Sequence, residues 1–414
     1  MNNSWKKYLL EDLITIKHGY AFKGEYFVDD KTNYYLVTPG NFSIGGGFQK
    51  YKDKFYDGPV GTDYILNPND LIVTMTDLSK SGDTLGFPAL VPKNENYSYL
   101  HNQRIGLVEI KDTSKINKIF LYYLMRSREY QKYIVSTSSG ATVKHTSPSK
   151  IGKFRFFLPS LQKQKDIGNQ LHKYELLINN NNHRIQILEE IAQRIYEEWF
   201  VNFKFPGHEK VKMVDSELGK IPEGWHFVKA SEVIDFDPKT SVDRNLENKY
   251  LPMGSISESS MIISNIEMRK GNSGSKFQNK DTLLARISPS LENGKTGFVN
   301  FLKKNETAFG STEFIVMRSK SICPEYVYCL ARSSKFRDTA IKSMRGATGR
   351  QRVQRDALEN FRIALPNDSK LVNEFQSVLE PMFDQIYLLN KKNEVLVKTR
   401  DLLLPRLISG EIEL

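Results

Sequence analysis

The chain has 414 residues and a formal net charge of +11, from 59 lysines and arginines against 48 aspartates and glutamates. Two cysteines are too few for a disulfide framework or a zinc site, and no apolar run approaches the length of a membrane span. The few cysteines and the lack of long apolar runs predict an intracellular, cytoplasmic protein. The length predicts two to three domains, and 24 phenylalanines and 20 tyrosines are enough to fill their cores.

One unit of sequence occurs twice, separated by half the length of the chain. Three motifs recur 206 or 207 residues later: Leu124–Ser127 as Leu330–Ser333, Gly140–Thr142 as Gly346–Thr348, and Phe154–Pro159 as Phe361–Pro366. A fixed internal period indicates two copies of one structural unit. The chain is therefore expected to be a pseudo-symmetric dimer on one polypeptide, which suits a protein that grips two things a set distance apart.

The surplus positive charge lies in two segments. Residues 1–160 carry 21 basic against 15 acidic side chains, and residues 216–366 carry 24 against 17. Residues 161–215 carry 8 of each, and residues 367–414 carry 6 against 8. Basic domains favour polyanionic partners, of which nucleic acid is the commonest, although ordinary solubility charge is the open alternative.

The two copies share a strand scaffold. In the first copy Asp70–Val73 is predicted as a buried strand, and apolar side chains nearly alternate along Ile105–Ile110. In the second copy Asp281–Leu284 takes the place of Asp70–Val73, and Gly297-Phe298 matches Gly86-Phe87. The loops differ in length and residues, as expected of two domains that recognise different targets.

A long helix is predicted after each copy. The first has a heptad seam formed by Ile167, Leu171, Tyr174, Ile178, Asn181, Ile185, Leu188, Ala192, Ile195 and Trp199. From Gln162 to Phe203 it would span roughly 60 Å. The looser seam of the second helix is formed by Leu371, Phe375, Val378, Met382, Ile386, Leu389, Leu396 and Leu403. The two seams are most simply buried against each other, in an antiparallel pair.

Polar residues and prolines interrupt these seams. Asn181 is the one polar member of the first seam; it either fixes the register of the pair or marks a frayed midpoint. Asn393 interrupts the second seam. Pro381 is expected to bend the second helix, and Pro405 to limit its far end.

Catalytic motifs are missing from the sequence. A DNA methyltransferase would carry an Asn-Pro-Pro-Tyr or Asp-Pro-Pro-Phe element beside a glycine-rich cofactor loop, and neither occurs. Gly294-Lys295-Thr296 imitates the end of a phosphate-binding loop, but Pro289 stands where that loop requires glycine. The seven histidines are scattered. The sequence therefore predicts a non-catalytic protein.

Two basic segments without acidic residues, Ser136–Lys153 and Lys342–Arg355, surround the repeated Gly-Ala-Thr motif. Basic side chains on such loops can follow phosphates, and arginine can reach guanine edges; a solvated turn is the alternative. The predicted DNA contacts in these segments are Lys144, His145, Lys150, Arg345, Arg350, Arg352 and Arg355. Weaker candidates for base recognition, since Ser and Thr are also ordinary turn formers, are Thr74, Thr76, Lys80, Arg286, Ser288 and Lys295.

The chain resembles the specificity subunits of type I restriction-modification systems along its whole length. The specific similarities lie in two regions. In the central region they are Glu198–Phe203 followed by Leu218–Trp225, and Gly140–Thr142 followed by Phe157–Gln164; at the C-terminal end the similarity is Leu402–Glu411. The segments Asn69–Ile72 and Asn102–Arg104 are weakly similar to the target-recognition domains of that family.

The repeat, the seams and this resemblance together indicate an α+β fold. Two similar target-recognition domains, residues 1–158 and 209–365, would be separated by two long helices. These spacer helices, residues 159–208 and 366–414, would pair as an antiparallel coiled coil, and the whole would form a pseudo-twofold internal repeat.

The resemblance also implies the function and the partners. Such a subunit has no catalytic centre, and each recognition domain reads one half of a split sequence in double-stranded DNA. Its helices act as a spacer and a docking platform for two methyltransferase (modification) subunits and for restriction subunits. The chain itself would need no cofactor, metal or membrane; S-adenosylmethionine, ATP and Mg are expected on the partner subunits.

Two other interpretations remain open at this point. A coiled-coil scaffolding adaptor would use its basic domains to bind protein, or nucleic acid non-specifically. A recognition module of a single-chain restriction enzyme would need a catalytic region that this sequence lacks.

Overall fold

The computed structural model describes residues 5–50 and 52–414. The chain forms two compact units. The first comprises the chain up to Ile178 together with Val395–Leu414, and the second comprises Asn179–Glu394. Each unit therefore holds one copy of the repeat and a part of both long helices.

The first unit is a mixture of short strands and helices. Its strands are β1 (Lys6–Leu9), β2 (Ile14–His18), β3 (Phe27–Val28), β4 (Tyr34–Leu36), β5 (Phe55–Tyr56), β6 (Ile65–Leu66), β7 (Leu71–Thr74), β8 (Thr76–Asp77), β9 (Pro88–Leu90), β10 (Ser98–Leu100), β11 (Ile105–Ile110), β12 (Lys144–His145) and β13 (Arg155–Leu158). Its helices are α1 (Lys118–Leu124), α2 (Arg128–Thr137) and α3 (Pro148–Gly152), and helix α4 (Leu161–Tyr196) begins in it.

Strand β7 lies inside the main sheet of this unit, whose strand order is β2-β11-β7-β9. Successive side chains of a strand point to opposite faces, so Leu71 and Val73 enter one core while Ile72 enters another. Both faces of β7 are therefore covered, which explains its continuous apolar sequence. A second sheet has the order β3-β5-β4-β10-β6, with β4 and β10 parallel, and β1 pairs with β13.

The second unit contains a corresponding set of elements. Its strands are β14 (Met213–Ser216), β15 (Gly219–Pro222), β16 (Trp225–Lys229), β17 (Ile234–Phe236), β18 (Glu247–Leu251), β19 (Glu267–Lys270), β20 (Ser275–Gln278), β21 (Thr282–Ala285), β22 (Thr296–Phe298), β23 (Thr307–Gly310), β24 (Phe314–Ser319) and β25 (Arg362–Pro366). Its helices are α5 (Ala230–Val233), α6 (Pro324–Arg332), α7 (Ser334–Lys342), α8 (Arg355–Glu359) and most of α9 (Lys370–Ile408).

The second unit repeats the topology of the first. Its main sheet has the order β17-β24-β21-β22, and its second sheet has the order β19-β18-β23-β20, again with one parallel pair, β18 and β23. The predicted correspondence of Asp281–Leu284 with Asp70–Val73 is confirmed, because β21 pairs with β24 as β7 pairs with β11.

One sequence match is off by three residues. Phe298 lies opposite Thr282, whereas in the first unit Leu90 takes that place opposite Leu71. Phe298 therefore corresponds to Leu90 and not to Phe87. The loop before this strand differs in length between the copies, so a local sequence match across it misleads.

Both long helices form. Helix α4 continues as one π-helical turn, Glu197–Val201, and the predicted seam residues of α4 are buried or half-buried. Helix α9 runs through Pro381 and also passes Pro405, so it ends three residues later than expected. In the described part of the chain, no helix is long and apolar enough to cross a membrane.

Within each unit the two helical segments run antiparallel. In the first unit Lys163, near the start of α4, lies 3.0 Å from Glu413, beyond the end of α9. In the second unit the ring of Trp199, beyond the end of α4, packs at 5.9 Å against Phe375, near the start of α9. Asn181 also contacts Asn393 in this unit.

A buried ion pair holds helix α4 against the residues that follow α1. Arg126 Nη1 lies 2.7 Å from Glu175 Oε2, with side chains 5% and 18% exposed. The hydroxyls of Tyr122 and Tyr123 donate to the same carboxylate at 2.7 and 2.8 Å. Burial raises the pKa of Glu175, but Arg126 and the two hydroxyls outweigh burial and hold this pKa below its usual range.

Removing this carboxylate should destabilise the protein. In Glu175→Gln the guanidinium of Arg126 stays buried without a counter-charge, which should lower the free energy of unfolding by about 3 kcal/mol near neutral pH. Because the folded-state pKa of Glu175 is depressed, its contribution is present above the unfolded pKa and is lost as pH falls through the folded pKa. Urea denaturation from about pH 7 to about pH 3 should therefore show the difference from wild type shrinking.

The matched control is Glu95→Gln, which removes an ion pair with Lys93 whose side chains are 76% and 81% exposed. It should change the free energy of unfolding by less than about 0.5 kcal/mol. Equal effects of the two substitutions would contradict a special role of the buried pair.

A polar pair lies in the helix seam of the second unit. Asn181 Nδ2 donates to Asn393 Oδ1, and Asn393 Nδ2 donates to Asn182 Oδ1, both at 2.8 Å. Asn181 and Asn393 are each 8% exposed. Asn393 therefore does not simply interrupt the seam; it supplies the partner of Asn181. Such a pair favours one register, because a shift would leave buried amides without partners.

Single and double substitutions of this pair should have opposite effects. Asn393→Leu leaves the amide of Asn181 buried without its partner and should lower the free energy of unfolding by about 1–3 kcal/mol. The double variant Asn181→Leu/Asn393→Leu removes both amides and should match or exceed the wild type. Thermal and urea denaturation of Asn181→Leu, Asn393→Leu and the double variant measures this, and a double variant as unstable as the sum of the two single variants would refute the pairing.

Candidate nucleic-acid interface

Backbone hydrogen bonds bring the candidate loops of the first unit together. Strand β12 pairs antiparallel with β8, so that His145 lies opposite Thr76. The amide of Thr146 donates to the carbonyl of Met75 at 3.0 Å, and the amide of Met75 donates to the carbonyl of Arg104 at 2.9 Å. Three segments that are distant in sequence thus form one continuous surface.

The second unit builds the same frame. Ile287 pairs antiparallel with Arg352, the amide of Val353 donates to the carbonyl of Arg286, and the amide of Arg286 donates to the carbonyl of Glu313, both at 2.9 Å. The corresponding residues of the two frames are Met75 and Arg286, Arg104 and Glu313, and His145 and Arg352. We call Met75, Arg104 and His145, with the loop that follows β7 and the basic hairpin, the first two-loop surface. Arg286, Glu313 and Arg352, with the two corresponding loops, form the second two-loop surface.

The repeated Gly-Ala-Thr motif turns the basic hairpin in each unit. The bridge between Ser139 and His145 closes the first hairpin, and the bridge between Arg345 and Arg352 closes the second. Gly140 has φ +96°, and a Cβ added there would lie 1.9 Å from the carbonyl oxygen of Val143. This turn therefore requires glycine, which explains why the motif begins with it.

The structure distributes the candidates of the first copy over three environments. Lys80 and His145 are exposed, Lys144 and Lys150 are half-buried, and Thr74 and Thr76 are buried. The hydroxyl of Thr74 donates to the carbonyl of Thr76 at 2.9 Å, and the hydroxyl of Thr76 lies 3.2 Å from His145 Nδ1. Both threonine hydroxyls thus serve the frame itself, and His145 stands between this frame and solvent.

The loop that carries Lys80 is organised by Asp77. Its carboxylate accepts hydrogen bonds from the amide of Ser79 and from the amide and hydroxyl of Thr84. Burial raises the pKa of Asp77, but these hydrogen bonds outweigh burial and lower it. The ionised Asp77 therefore holds the loop in a shape that leaves Lys80 exposed.

In the second copy most candidates already have protein partners. Arg345, Arg350, Arg352 and Arg355 are exposed, while Arg286, Ser288 and Lys295 are half-buried. Ser288 Oγ donates to Glu292 at 3.2 Å, and Lys295 Nζ donates to the carbonyl of Met253 at 3.3 Å. Arg355 donates to the carbonyl of Phe236 at 2.7 Å and to Glu359 at 2.5 Å, which gives it a role in the fold.

Arg352 forms a bidentate ion pair with Glu313, with nitrogen–oxygen distances of 2.7 to 3.1 Å. The hydrogen bonds from Arg352 lower the pKa of Glu313 despite its partial burial. Neither Arg104 nor Glu313 was among the predicted contact residues. Alignment of the strands, rather than a local motif, shows that they occupy the same place in the two frames.

The two surfaces therefore present different chemistry on one backbone frame. In the first, the side chain of Arg104 is exposed; in the second, the carboxylate of Glu313 neutralises Arg352. Arginine recognises guanine edges, whereas a carboxylate accepts from the amino group of cytosine. Within residues 5–50 and 52–414, no group of three or more His, Cys, Asp or Glu side chains could hold a metal ion.

A family model described as the type I restriction modification DNA specificity domain matches residues 2–190 and 222–398. The chain belongs to this family. It is a specificity subunit of a type I restriction-modification system, as the resemblance of its motifs indicates. The two matched regions correspond to the two copies of the repeat.

Several relatives support the assignment. This specificity subunit is 26% identical over 308 residues to the type I restriction enzyme MjaIX specificity subunit of Methanocaldococcus jannaschii, covering 71% of this chain and 68% of that protein. It is 22% identical over 362 residues to the MjaVIII specificity subunit of the same organism, covering 84% and 80%. The crystal structure of the type I S subunit from M. genitalium has the same fold, with a TM-score of 0.58 at 14% identity over 99% of this chain and 97% of that chain.

Proposed function

We propose that this specificity subunit reads a bipartite sequence in double-stranded DNA, one half with each unit. The observation that carries the proposal is the two-loop surface, which occurs once in each unit on the same hydrogen-bonded frame with different side chains. A shared frame lets both units approach DNA in the same manner, while different side chains let them select different bases.

The proposal assigns recognition to residues 1–158 and 209–365 and spacing to the helical residues 159–208 and 366–414. The antiparallel packing of the helical segments within each unit supports an antiparallel coiled coil as the spacer. The basic surplus of the recognition segments supports DNA as the ligand.

Catalysis is proposed to come from partners. Two methyltransferase subunits would bring S-adenosylmethionine, and restriction subunits would bring ATP and Mg, in the cytoplasm where the DNA lies. The sequence carries neither methyltransferase element, which supports a non-catalytic role. Family membership disfavours the scaffolding adaptor.

Methylation assays test this division of labour. The purified chain should transfer no methyl group from S-adenosylmethionine, and addition of methyltransferase subunits should create adenine methylation at a single bipartite motif. The same motif should disappear from the genomic methylation map when the gene is deleted. Methyl transfer by the chain alone, or an unchanged map after deletion, would overturn the proposal.

Two arginines of the second two-loop surface should respond differently to substitution. Arg350 is exposed with no ion pair or side-chain hydrogen bond among the described residues, so Arg350→Ala should remove one phosphate contact and shallow the log–log salt slope of DNA binding by about 0.9. Arg355 is tied to Phe236 and Glu359, so Arg355→Ala should lower the melting temperature and leave the slope unchanged.

Fluorescence anisotropy over a salt titration and thermal melting measure the two effects. If Arg350→Ala keeps the wild-type slope, the tip of this hairpin lies outside the interface.

A further inference from the structure

The second unit contains a cleft that the predicted contact loops do not account for. Its volume is about 660 Å³, and it lies between the segment after β17, the start of β20 and the start of β24. The polar side chains that line it and bear on its chemistry are Lys239, Lys276, Arg286, Thr240, Ser275 and Thr312.

The three cations of this cleft form no close ion pair among the described residues. Within residues 5–50 and 52–414, no carboxylate oxygen lies within 4.0 Å of the charged nitrogens of Lys239, Lys276 or Arg286. Elsewhere in the unit such partners are present: Arg318, for example, lies 2.7 Å from Asp281. Lys276 and Arg286 are half-buried, so water compensates their charges only in part.

The environment of Arg286 adds to this deficit. Its Nε atom is buried and has no hydrogen-bond partner among the described residues. Asp237 also lines the cleft, but one oxygen of its carboxylate accepts from the amide of Val316 at 2.9 Å and the other lies 3.6 Å from Arg355. The charge of Arg286 also acts at longer range on Glu313, but that carboxylate is bound bidentately by Arg352. Three cations and one committed carboxylate therefore leave the lining itself with an excess of positive charge.

The first unit has uncharged residues at two of these places. Strand pairing and the backbone hydrogen bonds of the frame give Ile65 as the counterpart of Lys276 and Met75 as the counterpart of Arg286. There the chain after β2 stays against Asn102, with which Tyr20 forms a bridge, and the ring of Tyr20 packs at 5.0 Å against Tyr64. The cations of Lys276 and Arg286 are therefore particular to the second copy and not part of the shared scaffold.

We propose that this cleft binds a phosphodiester of the DNA backbone and makes the second unit the stronger electrostatic anchor of the pair. The inference rests on the proposed function. Lysine ammonium groups contact phosphates, whereas base recognition needs paired donors and acceptors in fixed positions. The hydroxyls of Thr240 and Ser275 already donate to the carbonyls of Pro238 and Phe314, so the proposal depends on the cations. The cleft is continuous with the second two-loop surface, because Arg286 lines it and also bonds through its backbone to Glu313 and Val353.

The test uses the full chain in complex with methyltransferase subunits and a duplex that contains its methylation motif. Lys239→Gln/Lys276→Gln removes two cations from the cleft. Because the cleft is proposed to hold one phosphodiester, the log–log salt slope should become shallower by about 0.9, and affinity at physiological salt should fall about fivefold. The matched control, Lys303→Gln/Lys304→Gln, removes two exposed lysines of the same unit and should leave the slope nearly unchanged.

Two further measurements separate phosphate binding from other roles. Because the cleft cations are uncompensated, their removal should keep or raise the melting temperature; a marked loss of stability would mean a structural role and overturn the inference. Neutral methylphosphonate linkages are placed one at a time across the half-site of the second unit. At one position or more, the neutral linkage should weaken DNA binding by the wild type and should not further weaken DNA binding by the double variant.

These experiments distinguish failure of the phosphate site from failure of the proposed function. If the wild-type complex does not bind its motif, the proposed function fails. If it binds and the double variant keeps the wild-type slope, only the phosphate site is refuted. If the double variant keeps the slope but methylates motifs with other bases in the half-site of the second unit, the cleft recognises bases, which also refutes the phosphate site.

Discussion

Backbone hydrogen bonds at the end of one buried strand position everything that each unit presents to a ligand. The residue after that strand, Met75 or Arg286, is bonded on one side to the segment before β11 or β24 and on the other to the basic hairpin. Backbone bonds do not depend on side chains, so the same frame can carry different residues without loss of stability. This independence lets one scaffold present two chemically different surfaces.

Electrostatic pairing divides the basic residues into those that hold the fold and those that face solvent or an open cleft. Arg126 and Arg318 are bound to carboxylates, and Arg355 is bound to a carboxylate and a carbonyl. By contrast, Arg350 and Lys276 have no ion pair among the described residues. A count of positive charge overstates the number of cations available to bind DNA. A cation that already has a buried partner gains little from contact with a phosphate.

Much of the architecture follows from sequence because its causes are local. Heptad spacing predicts the seam of α4, and the continuous apolar run at Leu71–Val73 produces a strand covered on both faces. In α9 the buried side chains include Val372, Leu379 and Phe383, which the predicted seam does not contain. The glycine that begins each Gly-Ala-Thr motif is needed by a turn with positive φ. The family motifs and the two-copy organisation could be recognised for the same reason, since they depend on residues that are neighbours in sequence.

The composition of the candidate site was settled only by tertiary structure. Thr74 lies one residue from the surface frame, yet its hydroxyl is buried, because strand pairing determines which way it points. Arg104 and Glu313 occupy corresponding positions, which only the alignment of the strands reveals. Asn393 completes a seam through Asn181, 212 residues away. Sequence by itself determined the two long helices, the buried strands at Asp70–Val73 and Asp281–Leu284, the repeat and the family of this protein. Tertiary structure decided which side chains meet, because burial and charge pairing depend on contacts between distant segments.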